Sequence, residues 1–493
     1  MGEYVLFNSF EFLIFFPLVT LMYFVLPHKV RWLLLLISSS IFYMSFIPKY
    51  IIILAFTISV DYMVGIYLGK IKDAKRRKLF LIVSILSNIG ILFVFKYFNF
   101  FNTNISKIAD FFNWNYPIEN LKIILPIGLS FHTFQSLSYI IEVYRGNQTA
   151  ERNFGIFALY VMFYPQLVAG PIERPQNLLN QFYQKHYFEI ERVADGLKMM
   201  LWGLFKKVVI ADRLALFVNE VYGKPENYKG SQLIVATIFF TFQIYCDFSG
   251  YSDIAIGSAK VMGFTLMKNF DTPYLSKSIV EFWRKWHISL STWFKDYVYI
   301  PLGGNRVTIQ RRYFNIFITF LLSGLWHGAN WTYIIWGGLN GVYQILSHIT
   351  LESRKKIVCM FKINKISIIH KTVQVIITFS LTMFAWIFFR AANIYEAIYI
   401  IKKSFITIFD IHRLFSITQI ANSLKDFKKF DFVLSFLLII FLIIVELVQQ
   451  KIVIRKTIDN KFPYLCWTIY YIGIFTIILL GQFTKAQFIY FQF

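Results

Sequence analysis

Cysteine is nearly missing from this chain: Cys246, Cys359 and Cys466 are the only three in 493 residues, widely separated and without a C-x-x-C spacing. Such a pattern supports neither a disulfide framework nor a thiolate metal site. Charge is scarce as well, at 16% of residues, and acids are the scarcer sign, 27 against 50 Lys and Arg. No stretch reads as a soluble domain, and no low-complexity linker divides the chain. Internal repeats are not apparent, which weighs against a transporter built on inverted repeats. The opening "MGEYVLFNSFEFLIFF" has neither the basic start nor the cleavage site of a signal peptide, so it reads as a first retained span.

What the chain holds in excess is apolar: 57% of residues are hydrophobic and 20% aromatic. A soluble domain has no room to bury that much apolar surface, so the class is a multispanning membrane protein. Apolar runs fall near 5–26, 31–47, 49–68, 79–101, 121–144, 154–170, 232–248, 313–329, 331–347, 372–390, 432–448 and 465–482. The 232–262 stretch has room for a second, re-entrant piece. The expectation is an all-α polytopic protein of roughly 10–12 spans, read as one membrane domain over 1–493 with its core at 121–347 and C-terminal spans over 372–493.

The net charge of +23 does not indicate nucleic acid, because the bases gather in short loops between spans. "GKIKDAKRRK" (Gly69–Lys78) and "GGNRVTIQRR" (Gly303–Arg312) are the clearest, and the positive-inside bias makes both cytoplasmic. Three spans precede Gly69–Lys78, which places the N-terminus outside. The basic "HKVR" (His28–Arg31) then lies inside, and Asn102–Asn120, with Lys107 against Asp110 and Glu119, lies outside. Arg354–Lys371 is again basic and inside. The segment between the last two basic loops must form a hairpin whose turn, "GLWHGANW", sits in or near the outer half of the bilayer. Non-helical backbone at that depth is tolerated only where protein or a water-filled cavity surrounds it, so the turn points to a pore or tunnel.

Four stretches carry chemistry. In Ser278–Arg306 a helical register puts Trp283, Trp286, His287, Leu290, Trp293, Phe294 and Tyr297 in one arc of about 120°, with Arg284, Lys285, Ser289 and Lys295 opposite. This reads as one interfacial amphipathic helix, with His287 either functional or merely snorkelling from an aromatic belt. His327 is sharper, because a charged group inside a span costs roughly 2.5–3.5 kcal/mol and such residues are usually functional. The bland reading is a buried imidazole bonded to a helix carbonyl. Gly324, Gly328 and Ala329 favour function by admitting a backbone or a substrate. Asp247 and Asp253 in "YCDFSGYSD" either carry a proton or cation, or cap a broken helix, and the cap is preferred. In "FYPQLVAGPIERPQN" (Phe163–Asn177) the prolines end a span in a rigid turn, with Glu173–Arg174 at an interface.

Taken together, "LPIGLSFHTFQSLSYIIEVYRG" (125–146), "FYPQLVAGPIERP" (163–175), "YCDFSGYSDIAIGSAKVMGF" (245–264), "FWRKWHISLSTWFKDYVYIPLGGNR" (282–306), "GLWHGANWTYIIWGGLNG" (324–341) and "FIYFQF" (488–493) resemble the membrane-bound O-acyltransferase (MBOAT) family, in its bacterial alginate O-acetyltransferase-like branch. The resemblance implies a helical fold with interfacial and re-entrant helices around a central tunnel, and acyl transfer from a thioester to a hydroxyl. It makes His327 the catalytic residue and His287 the second family histidine, while His132 matches no family role. Trp283, Trp286, Trp326 and Asn330, flanking the two histidines, are the candidate substrate contacts. No metal or bound cofactor is expected, and acetyl-CoA in the cytoplasm is the expected donor. The expected setting is the bacterial inner membrane, among membrane lipids and without nucleic acid. The expected acceptor is an exported or cell-wall polysaccharide, reached with an extracytoplasmic SGNH-type partner. Two alternatives stand beside this reading: teichoic acid D-alanyl transfer on the same fold, and a proton-coupled transporter or flippase using Asp247, Asp253 and the histidines. The orientation is directly testable. Single cysteines placed in Gly69–Lys78 and in Gly303–Arg312 are expected to escape a membrane-impermeant maleimide in intact cells and to react once the membrane is opened.

Overall fold

The computed structural model of the chain describes residues 5–360, 367–409, 427–450, 463–483 and 488–489. Among these residues every regular element is helical. In chain order they are α1 (Phe10–Val25), α2 (His28–Met44), α3 (Ile51–Lys70), α4 (Ala74–Leu92), α5 (Phe98–Phe111), α6 (Leu129–Arg145), α7 (Phe154–Met162), α8 (Tyr164–Leu167), α9 (Pro175–Leu178) and α10 (Ile190–Leu204). There follow α11 (Asp212–Gly223), α12 (Gly230–Met262), α13 (Ile279–Lys285), α14 (Ile288–Phe294), α15 (Ile309–His327), α16 (Trp331–Ile349), α17 (Leu351–Met360), α18 (Ser367–Arg390), α19 (Ile394–Ile408), α20 (Lys429–Gln449) and α21 (Pro463–Leu480). Five helical stretches are long and apolar enough to cross a membrane: Pro48–Lys70, Ala74–Phe111, Gly230–Met262, Ile368–Arg390 and Lys429–Gln449. Phe10–Val25 and Trp467–Leu480 are shorter apolar helices. The protein is multi-pass.

The chain divides into two compact units, one of residues 1–200 and 251–267, the other of residues 201–250 and 268–493. In the first, α3 packs on α4, α6 and α7. Its centre is polar: the carboxylate of the fully buried Asp61 accepts from Ser84 Oγ at 2.5 Å and from Asn88 Nδ2 at 2.9 and 3.0 Å. Helix α6 starts later than the apolar run near 121–144 suggests, because Gly128 turns the chain at φ +74°. A Cβ there would meet the Leu167 carbonyl at 2.7 Å, so only glycine fits. The run near 154–170 breaks between α7 and α8 at Phe163–Pro165, as its proline predicts. Glu173, expected at an interface, is instead completely buried. It accepts from Met267 N–H and from Asn177 Nδ2, both at 2.5 Å, which pins the turn. The segment read as an outside loop after residue 101 continues as α5 through a π-turn at Phe93–Tyr97.

In the second unit the decisive element is the α15–α16 hairpin. Its turn falls where the sequence placed it, with α15 ending at His327 and α16 capped by Asn330, whose Oδ1 accepts from Thr332 N–H at 3.1 Å. The glycines here serve the backbone. A Cβ on Gly324 would lie 2.3 Å from the Tyr333 carbonyl, and one on Gly337 2.4 Å from the Phe320 carbonyl. The two helices therefore approach through a small-residue seam, as membrane helices do in the absence of a hydrophobic drive between them. Neither α11 nor α19 was visible as an apolar run, since both are amphipathic and carry charge. The expected break within 232–262 is not there: α12 is one helix of 33 residues. Asp247 and Asp253 lie in its interior and cap no second helix.

The seam gives a clear expectation. Gly324→Val and Gly337→Val should each destabilise the hairpin by about 1–3 kcal/mol or more through overpacking. Gly338→Ala, where a Cβ would find its nearest atoms at an ordinary 3.8 Å, should be tolerated. Thermal melting of the detergent-solubilised protein distinguishes the two classes.

Candidate active site

His287 does not ride on a continuous amphipathic helix. The chain leaves α13 at Trp286, passes through His287 at φ +42°, ψ 57°, and restarts as α14. A left-handed non-glycine residue is strained and persists only where surrounding bonds hold it. Two backbone bonds do so here: Asp271 N–H donates to Lys285 O, and Ile288 N–H to Asn269 O, both at 2.9 Å. The break turns the imidazole onto Asn269, whose Oδ1 lies 3.0 Å from His287 Nδ1.

That contact fixes the tautomer. Asn269 Oδ1 also accepts from Ser289 N–H at 3.3 Å and from Ser289 Oγ at 2.9 Å. A backbone N–H can only donate, so the atom facing both groups is the amide oxygen. His287 Nδ1 must therefore carry the hydrogen, and Nε2 is the basic nitrogen. Burial pushes the His287 pKa down to about 3, so the ring is neutral at physiological pH. Phe248 meets it edge-on at 4.6 Å and Phe270 stacks at 6.4 Å.

His327, 3% exposed, ends α15 inside an aromatic box. Trp336 stands edge-on at 5.0 Å, Phe389 at 5.3 Å and Trp326 at 4.9 Å. Trp326 also faces His287 at 6.3 Å, so one indole walls both histidines. The tertiary structure thus gathers two residues that are 40 positions apart in sequence.

A cleft of about 470 Å³ is lined by α13, α14, α15 and α16; Ile288 and Ser323 line it, whereas His287 and His327 do not. Its lining carries the basic Arg284, Lys295, Arg312 and His348 together with Trp283, Phe320 and Ser323. Ser323 is one helical turn before His327, on the same face of α15. Among the described residues no three His, Cys, Asp or Glu side chains gather as a metal site would require.

The candidate contacts take different places. Trp283 lines the cleft and donates from Nε1 to Asn340 Oδ1 at 3.2 Å. Trp286 is 1% exposed, closed in by Phe270, Phe282 and Trp386. Asn330 caps α16 and donates to Ala392 O at 2.9 Å. His132 lies in the other unit, buried on α6, with no hydrogen-bond partner for either ring nitrogen among the described residues. Sequence reading missed Asn269, which precedes His287 by 18 positions on an irregular segment, and placed Ser289 opposite His287 by assuming an unbroken helix. Phe389 and Trp386, on α18, were equally out of reach, since no local pattern ties them to the "WHGA" stretch.

Residues 152–392 match the family described as MBOAT, membrane-bound O-acyltransferase. A probable alginate O-acetylase AlgI of Pseudomonas aeruginosa is 39% identical over 394 residues, 79% of this chain and 72% of that protein. The chain belongs to the membrane-bound O-acyltransferase family. A peptidoglycan O-acetyltransferase of Helicobacter pylori is 36% identical over 435 residues, covering 80% of this chain and 79% of its own. A teichoic acid D-alanyltransferase of Streptococcus thermophilus is 29% identical over 245 residues, 47% of this chain and 59% of that protein. The protein is a membrane O-acetyltransferase.

Asn269 thus orients the His287 ring and fixes its tautomer. Asn269→Ala should lower transfer about 10–100-fold, the usual cost of losing a partner that orients a functional imidazole. Asn269→Asp places an anion beside Nδ1 and favours the imidazolium, so the His287 pKa should rise. The acid limb of the pH–rate profile, absent above about pH 5 in the parent, should then move toward neutrality.

Proposed function

We propose that this O-acetyltransferase moves acetyl groups from cytoplasmic acetyl-CoA across the bacterial inner membrane to hydroxyls of an exported or cell-wall polysaccharide. The observation that carries the reading is the pair of buried histidines sharing the Trp326 wall, together with a basic cleft lined by the neighbouring Ile288 and Ser323. A thioester donor carries its acyl group on a long arm attached to phosphates. Arg284, Lys295 and Arg312 suit the phosphates, and the Trp283 and Phe320 walls suit the arm. The Gly303–Arg312 loop, cytoplasmic by its charge, supplies Arg312 and Asn305 to the same cleft.

In this mechanism the acceptor hydroxyl oxygen attacks the thioester carbonyl while His327 takes its proton, since a hydroxyl attacks poorly unless a base assists. The carbon–sulfur bond breaks, and the proton passes from the imidazolium to the departing thiolate. His287, with Nε2 basic and Nδ1 tied to Asn269, orients the acceptor or the carbonyl. The aromatic box excludes water, which limits hydrolysis of the donor. An extracytoplasmic SGNH-type partner completes delivery to the glycan. The relatives named for alginate and peptidoglycan O-acetylation support a polysaccharide acceptor. D-Alanyl transfer is less favoured, because the named D-alanyltransferase aligns with under half of the chain.

His327→Ala and His327→Gln should both lose transfer by about 10²–10⁴-fold at unchanged membrane abundance, because glutamine keeps the volume but cannot accept a proton near neutrality. The assay is acetyl released from purified glycan, with labelled acetyl-CoA as donor to inverted membranes. Near-parental transfer by the Gln variant would end the general-base assignment.

A further inference from the structure

Asp247, which the sequence offered as a helix cap or a proton carrier, has other partners in the fold. It is 3% exposed on α12, and its Oδ1 lies 2.7 Å from Lys207 Nζ. Its Oδ2 accepts from the backbone N–H of Ile489 at 2.8 Å, across 242 positions of sequence. Lys207 is equally buried and reaches Asp212 Oδ1, also at 2.7 Å. Phe488 and Ile489 are both 2% exposed. The Phe488 ring meets Phe248 at 5.9 Å, and Phe248, the residue after Asp247, is the ring that stands edge-on to His287.

We propose that Asp247, held by Lys207, is a positioning residue for acyl transfer: it seats the Phe488–Ile489 segment against Phe248, the ring that fixes one face of His287. The logic is a sequence of requirements. A buried backbone N–H needs an acceptor, and a carboxylate is the strongest one available. A buried carboxylate in turn needs a countercharge, which Lys207 supplies. The second acid, Asp212, shares that ammonium and leaves Asp247 Oδ2 to the incoming amide. With the seat occupied, Phe248 is packed on its outer side by Phe488 and cannot turn away from the imidazole. With the seat empty, the edge-on contact at 4.6 Å loses that support. The role rests on the reading that His287 takes part in acyl transfer, and it adds residues that touch neither donor nor acceptor.

The experiment uses the full chain in membranes, with Cys359 and Cys466 replaced by serine and Ile489→Cys as reporter. Maleimide labelling of that cysteine should be slow in the parent and at least tenfold faster in Asp247→Ala. Asp247→Asn, which keeps an oxygen for the amide but loses the charge facing Lys207, should fall between. In the same variants kcat should drop at least tenfold while the donor KM stays within twofold. Because Asp247→Ala also strips a partner from a buried lysine, Phe488→Ala provides the second arm. It leaves every ion pair in place and should reproduce the fall in kcat. Unchanged labelling in Asp247→Ala, or parental kcat in Phe488→Ala, overturns the proposal. Failure of the underlying reading, that His287 takes part in acyl transfer, would show separately, as parental transfer by His287→Ala.

Discussion

The amide oxygen of Asn269 is the contact on which the histidine site depends. It accepts from His287 Nδ1, Ser289 N–H and Ser289 Oγ, while the backbone carbonyl of the same residue takes Ile288 N–H. Those bonds hold His287 in the left-handed region, a conformation worth roughly 1–3 kcal/mol of strain. The strain has a geometric result. In a regular helix the imidazole would share an arc with the tryptophans around it, whereas the break aims it at Asn269 and fixes which nitrogen is basic. Everything argued about the chemistry of His287 follows from that one oxygen.

A second constraint acts on the other histidine. His327 sits at the last position of α15 because the glycine seam lets α15 and α16 approach closely enough to end in a three-residue turn. The box of Trp326, Trp336 and Phe389 then closes on the ring. Aromatic side chains suit this task, since they exclude water over a large area with few rotatable bonds. The neighbouring cleft is basic, with Arg284, Lys295 and Arg312 in its lining. The cleft is thereby suited to charge and the aromatic box to a proton transfer shielded from solvent.

Buried charge in the second unit follows a different rule from buried charge in the first. Lys207 is shared by two aspartates, a set in which removal of one partner typically costs 3–5 kcal/mol. Asp61 is held instead by hydrogen bonds from serine and asparagine, with no cation bonded to it among the described residues. The first arrangement ties distant segments of chain together through charge, and the second locks neighbouring helices through hydrogen bonds.

How much was legible in the sequence depends on the range of the interaction. Apolar runs of spanning length, the hairpin turn at His327 and its cap at Asn330 are local properties, set by hydropathy and backbone hydrogen bonding within a few residues. The hairpin turn was legible in this way, and the motifs around the two histidines were enough to indicate the family. Asn330, by contrast, was expected as a substrate contact, and its capping role was not foreseen. Amphipathic helices such as α11 escaped because a charged face dilutes the apolar run. The 232–262 stretch was read as broken because aspartates suit caps, yet Lys207 satisfies Asp247 from another helix and the helix continues. The residues 490–493 of the "FIYFQF" stretch and 361–366 of the basic loop lie outside the described residues. By itself the sequence determined the helical, multi-pass class and the family, because hydrophobicity and residue type are carried position by position. Only the tertiary structure decided the tautomer of His287, the aromatic box around His327 and the partners of Asp247, because each depends on atoms brought together from 18 to 242 positions apart.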